Sequence, residues 1–185
     1  MMKSCRTTVL AGLLAAAPYQ TAFADHHEGP SVGPSPVPVL NAQGEAIGTA
    51  TFEQTPHGVL VAIDAQGLPP GEHGFHIHET GACDPAEGFS SAGGHFNPRS
   101  REHGLKVNAG HHAGDMPNQF VDADGTLRTV VLNSAVTMET GLDSLADADG
   151  SALIVHAGLD DYLTQPTGAA GGRLACAVIR PPQPM

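Results

Sequence analysis

His76, His78, His95, His103, His112 and Asp115 fall within one stretch of the chain. The stretch opens Gly74-Phe75-His76-Ile77-His78 and passes Cys83. It continues Ser91-Ala92-Gly93-Gly94-His95-Phe96-Asn97-Pro98 and closes on His103 and His112-Ala113-Gly114-Asp115. Imidazole nitrogens and carboxylate oxygens are the donors that hold transition metals. On a strand, alternate residues share a face, so His76 and His78 can reach one ion. Alone, such a pair more often packs than binds. His156 ends an apolar run far along the chain and is a candidate third ligand. On its own it would read as a satisfied buried histidine. His95 follows Gly93-Gly94, where backbone can approach closely. His103, His112 and Asp115 lie in a long loop without apolar pattern, and a metal would order such a loop. Three imidazoles with one carboxylate suit structural zinc. An all-imidazole set suits copper or zinc. The stretch reads as wrapping two metal ions, with the rest of the chain as scaffold.

The scaffold follows from composition. The chain has 185 residues, 23 Gly, 15 Pro and no Trp, with few aromatics, which favours short strands joined by tight turns over long helices. That length fits one domain able to bury a core. A net charge of −11 argues against nucleic acid and anionic membranes as partners. Eleven histidines is a heavy load of groups that bind metals or titrate near neutral pH.

Residues 1–24 read as a secretory signal. Lys3 and Arg6 give a charged start, Val9 to Ala17 is an apolar run too short to span a bilayer, and Thr21-Ala22-Phe23-Ala24 offers a cleavage site. Export then places the protein in the periplasm or outside the cell, with no membrane anchor after cleavage. Loss of Lys3 and Arg6 takes the net charge to −13. Cys5 leaves with the signal, so Cys83 and Cys176 remain in an oxidising setting, either bonded or as two free thiols. A bond would close a loop of roughly 90 residues, worth at most ~4.5 kcal/mol in the chain-entropy model. Residues 25–37, rich in Pro, Gly and Ser, read as a flexible lead-in. Cleavage after Ala24 would expose Asp25-His26-His27, whose amine, backbone nitrogens and imidazole could chelate Cu(II); a solvated polar tail is the plainer reading.

Strand patterns dominate from Val37 onward. Strands are expected at Val37–Asn41, Ala46–Gln54, Val59–Ile63, Gly74–His78, Ala152–His156 and Leu174–Ile179. Leu68-Pro69-Pro70-Gly71 reads as a turn. Asn118–Val121 and Thr126–Leu132 flank Asp122-Ala123-Asp124-Gly125 as a hairpin. Leu142–Ala146 could form one helical turn, and 160–172 is a long polar loop. This is an all-β pattern, a sandwich or Greek-key barrel of about eight antiparallel strands. One domain is expected over 38–180, with a Pro-rich tail at 181–185 and no internal repeat.

Taken together, G-F-H-x-H-E, S-A-G-x-H-F-N-P, the histidine eight residues later, H-x-G-D and the terminal G-x-R-L-A-C resemble the copper/zinc superoxide dismutase family. The likeness spans nearly all of 38–180. It implies a Greek-key barrel. It implies copper on His76, His78, His95 and His156, and zinc on His95, His103, His112 and Asp115, so that His95 is shared. It leaves His111 a bystander and makes His73 structural. Asp160 matches the family's aspartate that hydrogen-bonds His76 and His103 and ties the two sites together. Cys83 and Cys176 match the family disulfide, and Arg173 the arginine beside copper. The implied reaction takes superoxide as a small anionic substrate. Copper is alternately reduced and oxidised, with His95 releasing copper and carrying a proton.

Two features depart from the family pattern. The loop from Asp160 to Gly172 has no Lys, so cations for the substrate must come from Arg173, the metals, Arg99, Arg101 or Lys106. The chain before Val37 and after Ile179 differs from the tight eukaryotic dimer, leaving monomer and homodimer both open. The competing reading is an exported copper/zinc-binding module without turnover. It needs neither Arg173 nor a shared ring. A copper-only enzyme would not need His103, His112 and Asp115.

Overall fold

The computed structural model describes Met1 and residues 34–183. The proposed signal segment and the Asp25-His26-His27 site lie outside the described residues, as do Pro184 and Met185.

Nine strands, and no helix longer than a single 3₁₀ turn, make up the described chain. They are β1 Val37–Asn41, β2 Ala46–Thr55, β3 Gly58–Ala65, β4 Gly71–His73, β5 Phe75–His78, β6 Gln119–Val121, β7 Leu127–Asn133, β8 Ser151–His156 and β9 Arg173–Arg180. Seven form one curled antiparallel sheet in the order β5-β8-β9-β1-β2-β3-β7, and β4 pairs with β6. The β8-β9-β1 crossover brings the last strand beside the first, as a Greek key requires.

Alternation explains the core. In β3, Val59, Val61, Ile63 and Ala65 turn inward with Ala50 and Phe52 of β2. On the far side, Val130 and Leu132 of β7 are 65% and 48% exposed. β8 is buried on both faces and therefore reads as a continuous apolar run. Its Leu153 and Val155 join the main core, while Ala152 and Ile154 pack against Phe89, Ala92 and Cys176. The ladder sets His76 opposite Ile154 and His78 opposite Ala152. Phe75 and Ile77 thus enter the main core, and both histidines point to the other face, under the loop that follows.

Three local expectations are corrected. The segments around Asp122–Gly125 do make a tight turn, with Gly125 N–H on Asp122 C=O at 2.9 Å. They do not pair as a hairpin: β6 pairs with β4, and β7 with β3. β3 offers β7 a ladder from Val59↔Asn133 to Ala65↔Leu127, whereas β6 is only three residues long. Leu142–Ala146 forms no helical turn, because Thr137 takes its backbone groups: Thr137 N–H donates to Asp143 C=O, and Leu145 N–H to Thr137 C=O. Gly71, read as the end of a turn, opens β4.

Candidate metal centre

The free edge of β5 shapes the site. Ile77 N–H donates to Gly114 C=O (2.9 Å), Phe96 N–H to Ile77 C=O (2.8 Å), and Glu79 N–H to Gly94 C=O (3.0 Å). The loop backbone thus continues the sheet and lays His95 and Asp115 beside His76 and His78. The glycine of H-x-G-D is needed here, since a Cβ on Gly114 would overlap the Ile77 carbonyl.

All seven candidate ligands meet. One ligand atom from each of His76, His78, His95 and His156 lies within 4.8 Å of the others, and the same holds for His95, His103, His112 and Asp115. All seven residues are buried. Hydrogen bonds fix which nitrogens face inward. His76 Nε2 is held by Asp160 Oδ2 at 2.9 Å, leaving Nδ1 inward. His78 Nδ1 donates to Gly93 C=O at 3.0 Å, and His156 Nδ1 faces Gly171 C=O at 3.3 Å, so the Nε2 atoms of both point inward and meet at 3.3 Å. His103 Nε2 is on Asp160 Oδ1 at 3.0 Å, turning Nδ1 to Asp115 Oδ1 at 3.1 Å. His95 Nδ1 lies 2.8 Å from the same oxygen.

The donor set fits two metals. His76 Nδ1, His95 Nε2 and His112 Nδ1 are buried without a hydrogen-bond partner. Stranding such atoms is costly unless something else binds them. One group of four is all imidazole, which suits copper or zinc, and the other is three imidazoles and a carboxylate, which suits structural zinc. Burial lowers the His95 pKa to about 4 and that of His156 to about 3, and lowers His78 as well; the Arg173 charge adds to the effect on His78 and His156. Neutral imidazole is the form that ligates. Burial acts against charge on His103 too, but its bonds to Asp115 and Asp160 win and raise it to about 9. Those same bonds hold the Asp115 and Asp160 carboxyls ionised against their burial, well below the usual range.

Arg173 stands at the edge of this pocket. Its Nη1 donates to Phe89 C=O and its Nη2 to Gly93 C=O at 2.6 Å. Gly93 C=O therefore serves both Arg173 and His78. A Cys83–Cys176 disulfide ties the 83–93 segment that carries both carbonyls to β9, which carries Arg173.

The chain matches the family model described as copper/zinc superoxide dismutase over residues 46–179. It belongs to the copper/zinc superoxide dismutase family. It is 50% identical over 144 residues to superoxide dismutase [Cu-Zn] 2 of Aquifex aeolicus, covering 77% of this chain and 84% of that one. It is 40% identical to the superoxide dismutase-like protein YojM of Bacillus subtilis, over 77% of this chain and 74% of the relative. A crystal structure of a superoxide dismutase-like protein from Bacillus subtilis superposes with a TM-score of 0.73 at 40% identity, covering 77% of this chain and 97% of that one. The Cu/Zn superoxide dismutase of Brucella abortus gives 0.63 at 29% identity, over 78% and 98% of the two chains. Superoxide dismutation with copper and zinc is thus the activity of this family, and the two histidine clusters fit it.

Within this dismutase fold, the remaining sequence candidates sort themselves. His73 is in neither cluster; its ring nitrogens lie 2.8 Å from the His156 and Pro69 carbonyls. His111 Nδ1 lies 2.6 Å from His112 C=O and is likewise apart. Arg99 is spent on Asp143, Arg101 donates to Ala109 C=O, and Lys106 sits over the Tyr162 ring. Sequence reasoning missed the backbone carbonyls of Phe89 and Gly93 as the seat of Arg173. It also missed the side chains of Asn118 and Gln165, which bond the backbones of Asp160 and His103, and the Tyr162 N–H, which bonds Asp160; single polar residues so far from their partners carry no signal.

Proposed function

We propose that this chain is an exported superoxide dismutase in which His76, His78, His95 and His156 hold copper and His95, His103, His112 and Asp115 hold zinc. The observation behind the assignment is the ring of His95: Nδ1 belongs to the second cluster, and Nε2 is buried and unpaired toward the first. Bound copper supplies a one-electron couple and bound zinc a fixed charge, so that two superoxide ions and two protons become O2 and H2O2.

The protein's own groups do the rest. Arg173 keeps donors beyond the two bonds that seat it, and a guanidinium so held attracts and orients a small anion. His95 Nε2 is placed to take up and hand on a proton while Nδ1 stays at Asp115. Asp160 links His76 to His103, so one carboxylate sets the orientation of a ring in each cluster. The Cys83–Cys176 bond and the apolar segment near the start of the chain support export, since disulfides persist in oxidising compartments.

A module that merely stored metal would need neither Arg173 at the pocket edge nor one ring facing both clusters. Metal analysis and inhibition of superoxide-driven cytochrome reduction, run on one preparation, separate the two. Copper and zinc bound with turnover support the enzyme; both bound without turnover leave the storage module.

A further inference from the structure

The two loops that close the site lack an ordinary core. Between residues 97 and 111 only His103 and Gly104 are buried. Between 157 and 172 only Asp160, Gly168 and Ala170 are. Apolar packing therefore supplies little of what joins the loops, and polar contacts must do it.

Two carboxamides make those contacts, in the same way. Asn118 Oδ1 accepts from Asp160 N–H and its Nδ2 donates to Asp160 C=O, both at 2.9 Å. Gln165 Oε1 accepts from His103 N–H at 2.7 Å, and its Nε2 donates to His103 C=O at 2.8 Å. Each side chain acts as a ladder partner for one residue: Asn118, beyond the buried 112–116 segment, for Asp160, and Gln165 for His103 of the other loop. The two residues gripped are the ones bonded to each other, His103 Nε2 to Asp160 Oδ1. Tyr162 closes the ring of contacts: its N–H donates to Asp160 Oδ1 at 2.6 Å and its hydroxyl accepts from Asn118 N–H at 2.7 Å. Gly168, at φ +66°, runs against this bond so closely that a Cβ would overlap Asp160 Oδ1.

We infer that Asn118 and Gln165 are positioning residues that clamp the His103–Asp160 pair from both sides and so preset the zinc half of the centre. The inference rests on His103 being a zinc ligand. It concerns zinc more than copper, because His76, His78 and His156 ride on strands whose ladders need neither carboxamide. A carboxamide presents an acceptor to the N–H and a donor to the C=O of its partner side by side. A carboxylate of the same shape would set an oxygen against the carbonyl.

The test uses the disulfide-bonded protein with Asn118→Asp, Gln165→Glu and both together. Zinc and copper affinities are read by chelator competition, and barrel stability by amide hydrogen exchange in β2, β3 and β8. Each single variant is expected to lose about tenfold or more in zinc affinity, in line with partners that orient metal ligands. Copper affinity should change less, since Asp160 bonds only His76 of that set, and barrel exchange far less. The double variant should lose less than the product of the singles, because both act on one bond. Gln165 is exposed, so Gln165→Glu carries the test should Asn118→Asp fail to fold. Zinc affinity unchanged in Gln165→Glu overturns the inference. Equal loss of both metals with a weakened barrel also overturns it, since that is general destabilisation. Parent protein that holds no zinc would instead overturn the zinc assignment itself.

Discussion

Asp115 Oδ1 lies 2.8 Å from His95 Nδ1, while the opposite ring nitrogen, Nε2, is buried with no partner. One side of the ring is thus fixed by a carboxylate in the second cluster, and the other is left open to the first.

Asp160 links the clusters, with Oδ2 on His76 and Oδ1 on His103. Asp160→Ala should free both rings to turn. Losing the carboxylate that orients a ligating histidine costs roughly 10- to 100-fold in metal affinity. Chelator competition should show both metals weakened by that order. A loss confined to one metal would mean that Asp160 does not couple the sites.

Arg173→Ala removes the cation at the pocket edge but no candidate ligand. Copper and zinc content should persist, while kcat/KM for superoxide falls about 10- to 1000-fold, the range of a steering or anion-stabilising cation. Full activity in a metal-loaded variant would refute the role.

The Cys83–Cys176 bond spans a sequence separation of 93 residues. Cys83→Ser with Cys176→Ser should cost up to about 4.5 kcal/mol of stability in the chain-entropy model. Activity should fall too, because the released 83–93 segment carries both carbonyls that seat Arg173. Urea unfolding and the dismutation assay check the two effects. A loss below about 1 kcal/mol would show that other contacts anchor the segment.

Acid should destabilise the metal-free protein in a defined window. Unfolded imidazoles titrate near about 6.5, whereas burial holds His95 at about 4 and His156 at about 3. Below the unfolded value the unfolded chain binds more protons, so stability falls with pH. His103, raised to about 9, has the opposite sign: its contribution is intact below the unfolded value and is lost as pH rises toward 9. It therefore does not mask the acid side. Unfolding free energy should drop on the order of 5 kcal/mol between about pH 6.5 and 4, about half from each ring. A flat profile there would show that His95 and His156 are protonated in the native state.

Much of this centre was legible in the sequence, where donor chemistry is local. His76 and His78 declare a shared strand face, Gly93-Gly94-His95 a close approach, and H-x-G-D a carboxylate beside an imidazole. The strands were legible where period-two alternation was strong, as in β2 and β3. Pairing was not, because β7 chose its partner by ladder length rather than by the adjacent turn. The contacts of Asn118 and Gln165 reach across 42 and 62 residues. No local pattern distinguishes such a carboxamide from any polar loop residue.

The most direct test of the account is a crystal structure of the metal-loaded protein with anomalous scattering at the copper and zinc edges. We expect His95 Nε2 within about 2.1 Å of copper and His95 Nδ1 within about 2.1 Å of zinc, each ion completed by the ligands assigned above. With copper kept oxidised, two ions held with His95 bound to only one of them, or a single ion in the pocket, would contradict the account.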